Sequence, residues 1–138
     1  MTDTLRAVVD TNVTIQAADD LSVELLPSST AVSAITVAEL EVGIAAARSP
    51  VDQAALVARQ EALISLAEVL PFDLACAKAF GRVAADLRAQ GRKVSARSFD
   101  ALIAATSIAN GLPLFTLNPD DFRAIQELDL RPLSPPPG

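Results

Sequence analysis

The sequence predicts an α/β fold: a single three-layer domain with a mostly parallel central sheet of four or five strands and helices on both faces. Three observations predict it. Short apolar runs alternate with longer stretches of helical spacing, the pattern of strands joined by helical crossovers. The 138 residues suit one domain with a real core. Just over half the residues, 51%, are apolar, which excludes a disordered chain.

The elements follow in order along the chain. Ala7–Val9 is a first strand, and Asp10 follows at once. Helices are expected from Thr11 to about Ala18 and over Asp20–Leu26. Ala31–Ser33 reads as a second strand. Thr36 to Ala47 reads as a helix, with Val37, Leu40, Ile44 and Ala47 on one stripe. Ser49-Pro50 opens a helix to about Glu68. Val69–Phe72 is a strand placed at the sheet edge by Pro71. Asp73 caps a helix ending near Gly91, whose stripe Cys76, Phe80, Val83 and Leu87 is apolar. Ser98 to Asn110 is a helix apolar almost all round, so it should be buried on several sides, and its stretch Ala101 to Ala109 points to burial beyond one subunit. Gly111 ends it. Leu114–Thr116 is a strand, Pro119 begins a short helix, and Leu130–Leu133 is a last strand. Residues 1–133 form one domain by this reading, and the Pro-rich 134–138 is a disordered tail.

Composition removes several chemistries. The chain has no histidine, which excludes Ser-His-Asp and Cys-His catalysis and imidazole zinc sites. A single cysteine, Cys76, forms neither an internal disulfide nor a Cys-rich metal site. No apolar run reaches the ~18 residues of a membrane span and the start of the chain does not read as a signal peptide, so a cytoplasmic protein is expected. The net charge of −6 points away from a passive nucleic-acid binder. Basic residues nevertheless gather at Arg82, Arg88, Arg92, Lys93 and Arg97, against the single acid Asp86. That run is either a solvated face or a phosphate-facing patch.

Four acids occupy comparable places. Asp10 ends the first strand. Glu39 lies in "SAITVAEL", Asp100 in "SARSFDALIAA" and Asp121 in "LNPDDF", each near the start of the helix after a strand or loop. Each has an ordinary structural account. Thr36 and Glu39 have the spacing of a capping box. Asp100 complements a helix dipole. Asn118-Pro119-Asp120-Asp121 is a favourable helix start. Against this, an acid on the face of an apolar helix is costly unless paired or bound to a cation. Parallel sheets carry their sites at the carboxyl ends of the strands. Acids crowded there repel, and a hard divalent cation with oxygen ligands relieves the conflict.

The motifs "VVDTNV", "ITVAELEVG", "DALIAA" and "TLNPDDF", in this order and spacing, resemble the PIN domain, and more narrowly the VapC toxins of type II toxin–antitoxin pairs. The resemblance runs from Ala7 to about Leu133. It implies a PIN-like domain and a magnesium-dependent endoribonuclease, with Mn²⁺ able to substitute. Its acidic positions, catalytic and metal-binding, fall on Asp10, Glu39, Asp100 and Asp121. Thr11, Asn12, Thr116 and Asn118 match polar positions near that site. The family also implies a homodimer, an RNA substrate and a VapB-type antitoxin that blocks the active site, with no membrane partner. The segment "KVSARSFD" is less typical of the family.

On that expectation a cation-bound water cleaves the phosphodiester in line, and the ribose 3′ oxygen leaves. Without Trp or Tyr, base stacking would fall to Phe72, Phe80, Phe99, Phe115 and Phe122, all of which read first as core. The rival readings are a receiver-like Mg²⁺-binding signalling domain and a PIN-scaffold binding module without nuclease activity. An Asp-x-Asp phosphatase is disfavoured because position 12 is Asn.

Overall fold

The computed structural model describes residues 6–17, 29–93 and 98–133. The expected helix over Asp20–Leu26, the tail 134–138 and Arg97 lie outside them. The elements are β1 (Arg6–Val9), α1 (Thr11–Ala17), β2 (Ser29–Ser33), α2 (Ala34–Ala45), α3 (Pro50–Leu66), β3 (Glu68–Leu70), α4 (Leu74–Ala89), α5 (Ser98–Ala109), β4 (Leu114–Thr116) and β5 (Leu130–Pro132). A 3-10 turn covers Pro119–Asp121.

All strand pairings are parallel, in the order β3-β2-β1-β4-β5. β1 is therefore central, and β3, which Pro71 follows, is at an edge as its proline requires. The strand side chains alternate between two cores, as a period of two dictates. Val8, Ala31, Leu70 and Leu114 face one cluster with Ala79, Val83 and Leu87 of α4 and Ile103 to Ala105 of α5. Ala7, Val9, Val32 and Phe115 face the other, with Val13 of α1 and, partly buried, Leu63 of α3. Helices thus cover both faces, giving three layers.

Local chemistry fixes the helix ends. Ser49 accepts a hydrogen bond from Asp52 N, and Asp73 from Cys76 N. Gly91 and Gly111 both take positive φ, 71° and 64°. Each places the next residue's N–H on a carbonyl one turn back: Arg92 N to Leu87 O at 2.9 Å, Leu112 N to Ser107 O at 3.0 Å.

Two expectations need correction here. α2 begins at Ala34, two residues earlier than expected, and Ser33 is its cap, accepting from Ile35 N. Thr36 is therefore inside the helix and forms no capping box. Ser33 and Thr36 are both good cap residues, and Ser33 wins because β2 ends there. Glu39 consequently sits in the second turn. The burial of α5 is met within one chain: Ala101 and Ile103 to Ser107 are buried, and α5 packs on α4, α2 and β2. α3 contrasts with it, having no buried residue among its 17.

Candidate active site

The register of β1 against β4 decides the first part of the site. Val9 pairs with Phe115, so Asp10 comes level with Thr116 at the carboxyl edge. Asp10 N donates to Phe115 O at 2.9 Å, continuing the ladder by one rung. The Asp10 side chain is only 3% exposed. Its Oδ1 accepts from Thr11 N at 2.8 Å and its Oδ2 from Thr116 Oγ1 at 3.0 Å. Thr116 Oγ1 in turn accepts from Asn118 N at 3.0 Å. Asn118 makes no side-chain cap of the 3-10 turn, contrary to the cap expected of it.

Thr11 carries the link to the second acid. Its hydroxyl lies 2.7 Å from Glu39 Oε1 and 3.3 Å from Thr36 Oγ1. Thr36, fully buried, thus packs under the site instead of capping α2. Asp10 and Glu39 share one residue, Thr11, as a donor.

The electrostatics follow from burial and crowding. Burial pushes the Asp10 carboxyl above its ordinary value, its two hydrogen bonds oppose that, and the charge of Asp121 pushes it further up. Burial likewise raises Glu39, the Thr11 hydroxyl opposes it, and the charge of Asp10 adds to the rise. Asp10 thus feels Asp121, and Glu39 feels Asp10. The sequence placed these three acids far apart, and the sheet brings them within mutual electrostatic reach.

Asp100 lies in the first turn of α5, half-buried, as expected. Both Asp100 and Asp121 take part in polar or electrostatic contacts of their own. Among the described residues, no group of three or more acids stands close enough to hold one ion between them. The donor chemistry still fits a hard divalent cation. It is all oxygen, and Asp10 and Glu39 carry a charge conflict that a cation relieves. Mg²⁺-type ions are commonly held by one or two carboxylates, waters and substrate phosphates, without a complete protein cage.

The remaining predicted residues divide. Arg82 is paired with Glu127, and Arg92 donates to the Asp120 carbonyl at 3.2 Å, so neither is simply a solvated charge. Arg88 and Lys93 are exposed. Phe115 and Phe122 are buried and Phe72 and Phe80 partly so, but Phe99 is 40% exposed beside Asp100. Its expected core role is corrected: α5 turns residues 101 and 103 inward and leaves position 99 outward. Sequence reasoning missed Thr11 and Thr36 as a joined pair, since their contact depends on the sheet register.

Fold and site together define a parallel α/β domain with carboxylates gathered at the carboxyl edge of its central strand. The PIN domain family model matches residues 7–128. The chain is 35% identical over 120 residues to Ribonuclease VapC5 of Mycobacterium tuberculosis, covering 86% of each. It is 33% identical over 103 residues to Ribonuclease VapC1 of Rickettsia felis, covering 75% of each. Among solved structures it resembles a member of the VapBC family of toxin-antitoxin systems, VapBC-5 from M. tuberculosis. That match has a TM-score of 0.78 and 32% identity, covering 94% of this chain and 98% of the other. The chain belongs to the PIN-domain family, among its VapC-like members. Nucleases of this family generally depend on a divalent metal.

Proposed function

We propose that this chain is a Mg²⁺-dependent endoribonuclease toxin, with Mn²⁺ able to substitute, neutralised by a VapB-type antitoxin. The observation that carries the proposal is Asp10, bonded to Thr11 and Thr116, its pKa raised chiefly by burial and further by the charge of Asp121. A buried carboxylate in this state is poised for a cation. The ribonuclease names of the relatives and the toxin-antitoxin setting of the similar structure support the same reading. Asp10, Glu39, Asp100 and Asp121 are assigned to the site. We take the working unit to be residues 1–133, as a cytoplasmic homodimer; among the described residues no helix is long and apolar enough to cross a membrane.

A bound divalent cation would polarise the scissile phosphate and acidify a water. Asp10 would hold it, with Asp100 and Asp121 acting directly or through bound waters and the substrate phosphate completing the shell. Glu39 is the proton acceptor: its raised pKa brings it closer to neutral pH, where a general base works best. Thr11 holds Glu39 Oε1 and so fixes the direction of the carboxylate. In-line attack on phosphorus expels the ribose 3′ oxygen and leaves a 5′ phosphate on the product. Arg88 and Lys93 serve the RNA backbone, and the exposed ring of Phe99 is the stacking surface for a base.

The decisive experiment incubates the purified chain with RNA and Mg²⁺, with and without EDTA, beside Asp10→Asn. Cleavage by the parent alone, stopped by EDTA and leaving 5′-phosphate ends, is expected. No cleavage by any preparation would favour a PIN scaffold that only pairs with a partner.

A further inference from the structure

Asp121 is held by the chain on both sides, and one of the holds comes from far away. The peptide joining Asp120 to Asp121 is planar, so its carbonyl oxygen and its N–H share one rigid unit. The N–H of Asp121 donates to Asn118 O at 3.2 Å. The carbonyl of Asp120 accepts from Arg92 Nη1 at 3.2 Å. With both ends of the plane engaged, rotation about it is restrained. The residue that follows, Phe122, is 1% exposed in the core, which pins the chain beyond Asp121.

Arg92 is itself placed with care. It is the third residue past the end of α4. Gly91 adopts φ 71° and donates to Arg88 O at 2.9 Å, and Arg92 N donates to Leu87 O at 2.9 Å. This double closure fixes the backbone of Arg92 to the last turn of the helix. Two further ties run from the same helix to the same segment. Arg82 pairs with Glu127, and Asp86 Oδ2 accepts from Gln126 N at 3.0 Å. α4 therefore acts as a splint along the stretch after β4, with Arg92 at the end nearest Asp121.

We infer that Arg92 is a positioning residue: with its backbone fixed by the turn at Gly91, its guanidinium holds the Asp120–Asp121 peptide and so sets where the Asp121 carboxylate stands relative to Asp10. The inference rests on the nuclease reading above and deepens it. The Arg92 bond is to a carbonyl, and its effect on the cation is through Asp121 alone.

The test uses the full chain as Arg92→Gln and Arg92→Lys. Three quantities are read: kcat and KM on a mixed-sequence fluorogenic RNA oligonucleotide, Mn²⁺ affinity by electron paramagnetic resonance titration, and the melting temperature. Groups that orient metal ligands typically cost about 10- to 100-fold when removed. For Arg92→Gln, kcat and Mn²⁺ affinity should each fall by about that range, while KM stays within about twofold. Arg92→Lys, which retains a donor, should recover part of both losses. Should Arg92→Gln melt much lower, the comparison passes to Arg92→Lys against Gly91→Ala, which keeps the guanidinium but strains the turn. Gly91→Ala should then show the larger loss of Mn²⁺ affinity. Unchanged kcat and Mn²⁺ affinity would overturn the inference. So would a rise in KM alone, which would make Arg92 a phosphate contact. If the parent cuts no RNA, the nuclease reading falls, and the Mn²⁺ titration still decides the role of Arg92.

Discussion

Thr11 places its hydroxyl 2.7 Å from Glu39 Oε1, bridging the start of α1 and the second turn of α2 across 28 positions of sequence. Its backbone N–H meets Asp10 Oδ1 at 2.8 Å. One residue thus serves both carboxylates, with its hydroxyl on one and its amide on the other. Only the hydroxyl can be removed by substitution, which makes the two roles separable.

Thr11→Val should therefore act on Glu39 and leave the amide bond to Asp10 in place. The hydroxyl lowers the Glu39 pKa against the larger effect of burial. Its loss lets the pKa rise further, so Glu39 stays protonated to higher pH. The rising limb of kcat/KM against pH should move to higher pH, and the rate near neutrality should fall about tenfold. Stability should drop by about 1 kcal/mol, the net worth of an ordinary hydrogen bond. Thr11→Ser keeps the hydroxyl and should track the parent profile. An unmoved profile in Thr11→Val would remove Glu39 from the proton transfer.

Asp10 gives a prediction about stability with the metal removed. Burial raises its pKa above the ordinary 3.8, so the folded chain holds that proton to higher pH than the unfolded chain. Between the two values the folded state binds more protons, and stability falls as pH rises. The contribution is complete below the unfolded value and is lost as pH climbs through the folded one. Asn at position 10 has no charge to bury, and its oxygen can still accept from Thr11 N. Urea unfolding of EDTA-treated protein at several pH values should show a shallower fall for Asp10→Asn than for the parent. At pH 7 the variant should be at least as stable, although inactive. A clear loss of stability there would mean that the charge on Asp10 is compensated within the protein itself.

Phe99 is the exposed aromatic nearest the assigned acids in sequence, next to Asp100 and 40% exposed. A base stacked on such a ring is worth about 1–3 kcal/mol by alanine substitution. Phe99→Ala should raise KM for single-stranded RNA by about tenfold, with kcat little changed. The melting temperature should hardly move, because a half-exposed ring leaves no closed cavity. A large fall in melting temperature with KM unchanged would assign the ring to packing.

The fold was legible because its rules are local or periodic. Alternating apolar runs and helical stripes located the five strands, and Pro71 and Gly111 marked an edge and an end correctly. The acid after β1 was legible for the same reason: it stands where the run "AVV" stops. What was hidden depends on register. Thr116 meets Asp10 across 106 positions only because Val9 pairs with Phe115. The cap of α2 was misplaced because Ser33 and Thr36 carry the same chemistry, and only the end of β2 separates them. Arg82 and Arg92 read as free charge because their partners, Glu127 and the Asp120 carbonyl, lie on a distant segment. Phe99 read as core because its burial depends on which face α5 turns inward.

Cation binding should be visible without any RNA, and it sorts the four acids. A ligand that binds only the folded state stabilises it by RT ln(1 + [L]/Kd), about 2.7 kcal/mol at one hundred times Kd. For a domain of this size that corresponds to a rise of roughly 10 °C in melting temperature. The parent chain should show such a rise with Mn²⁺, reversed by EDTA. Asp10→Asn should lose nearly all of it, since Asp10 is the most buried of the four acids and has the charges of Glu39 and Asp121 beside it. Asp121→Asn should lose most of it. Asp100→Asn is the informative case, because the charges that raise Asp10 and Glu39 are those of Asp121 and Asp10. If Asp100 is a ligand, the metal-dependent rise shrinks in Asp100→Asn as it does in Asp121→Asn. A full rise in Asp100→Asn with cleavage abolished would move Asp100 from the cation to the substrate side of the site.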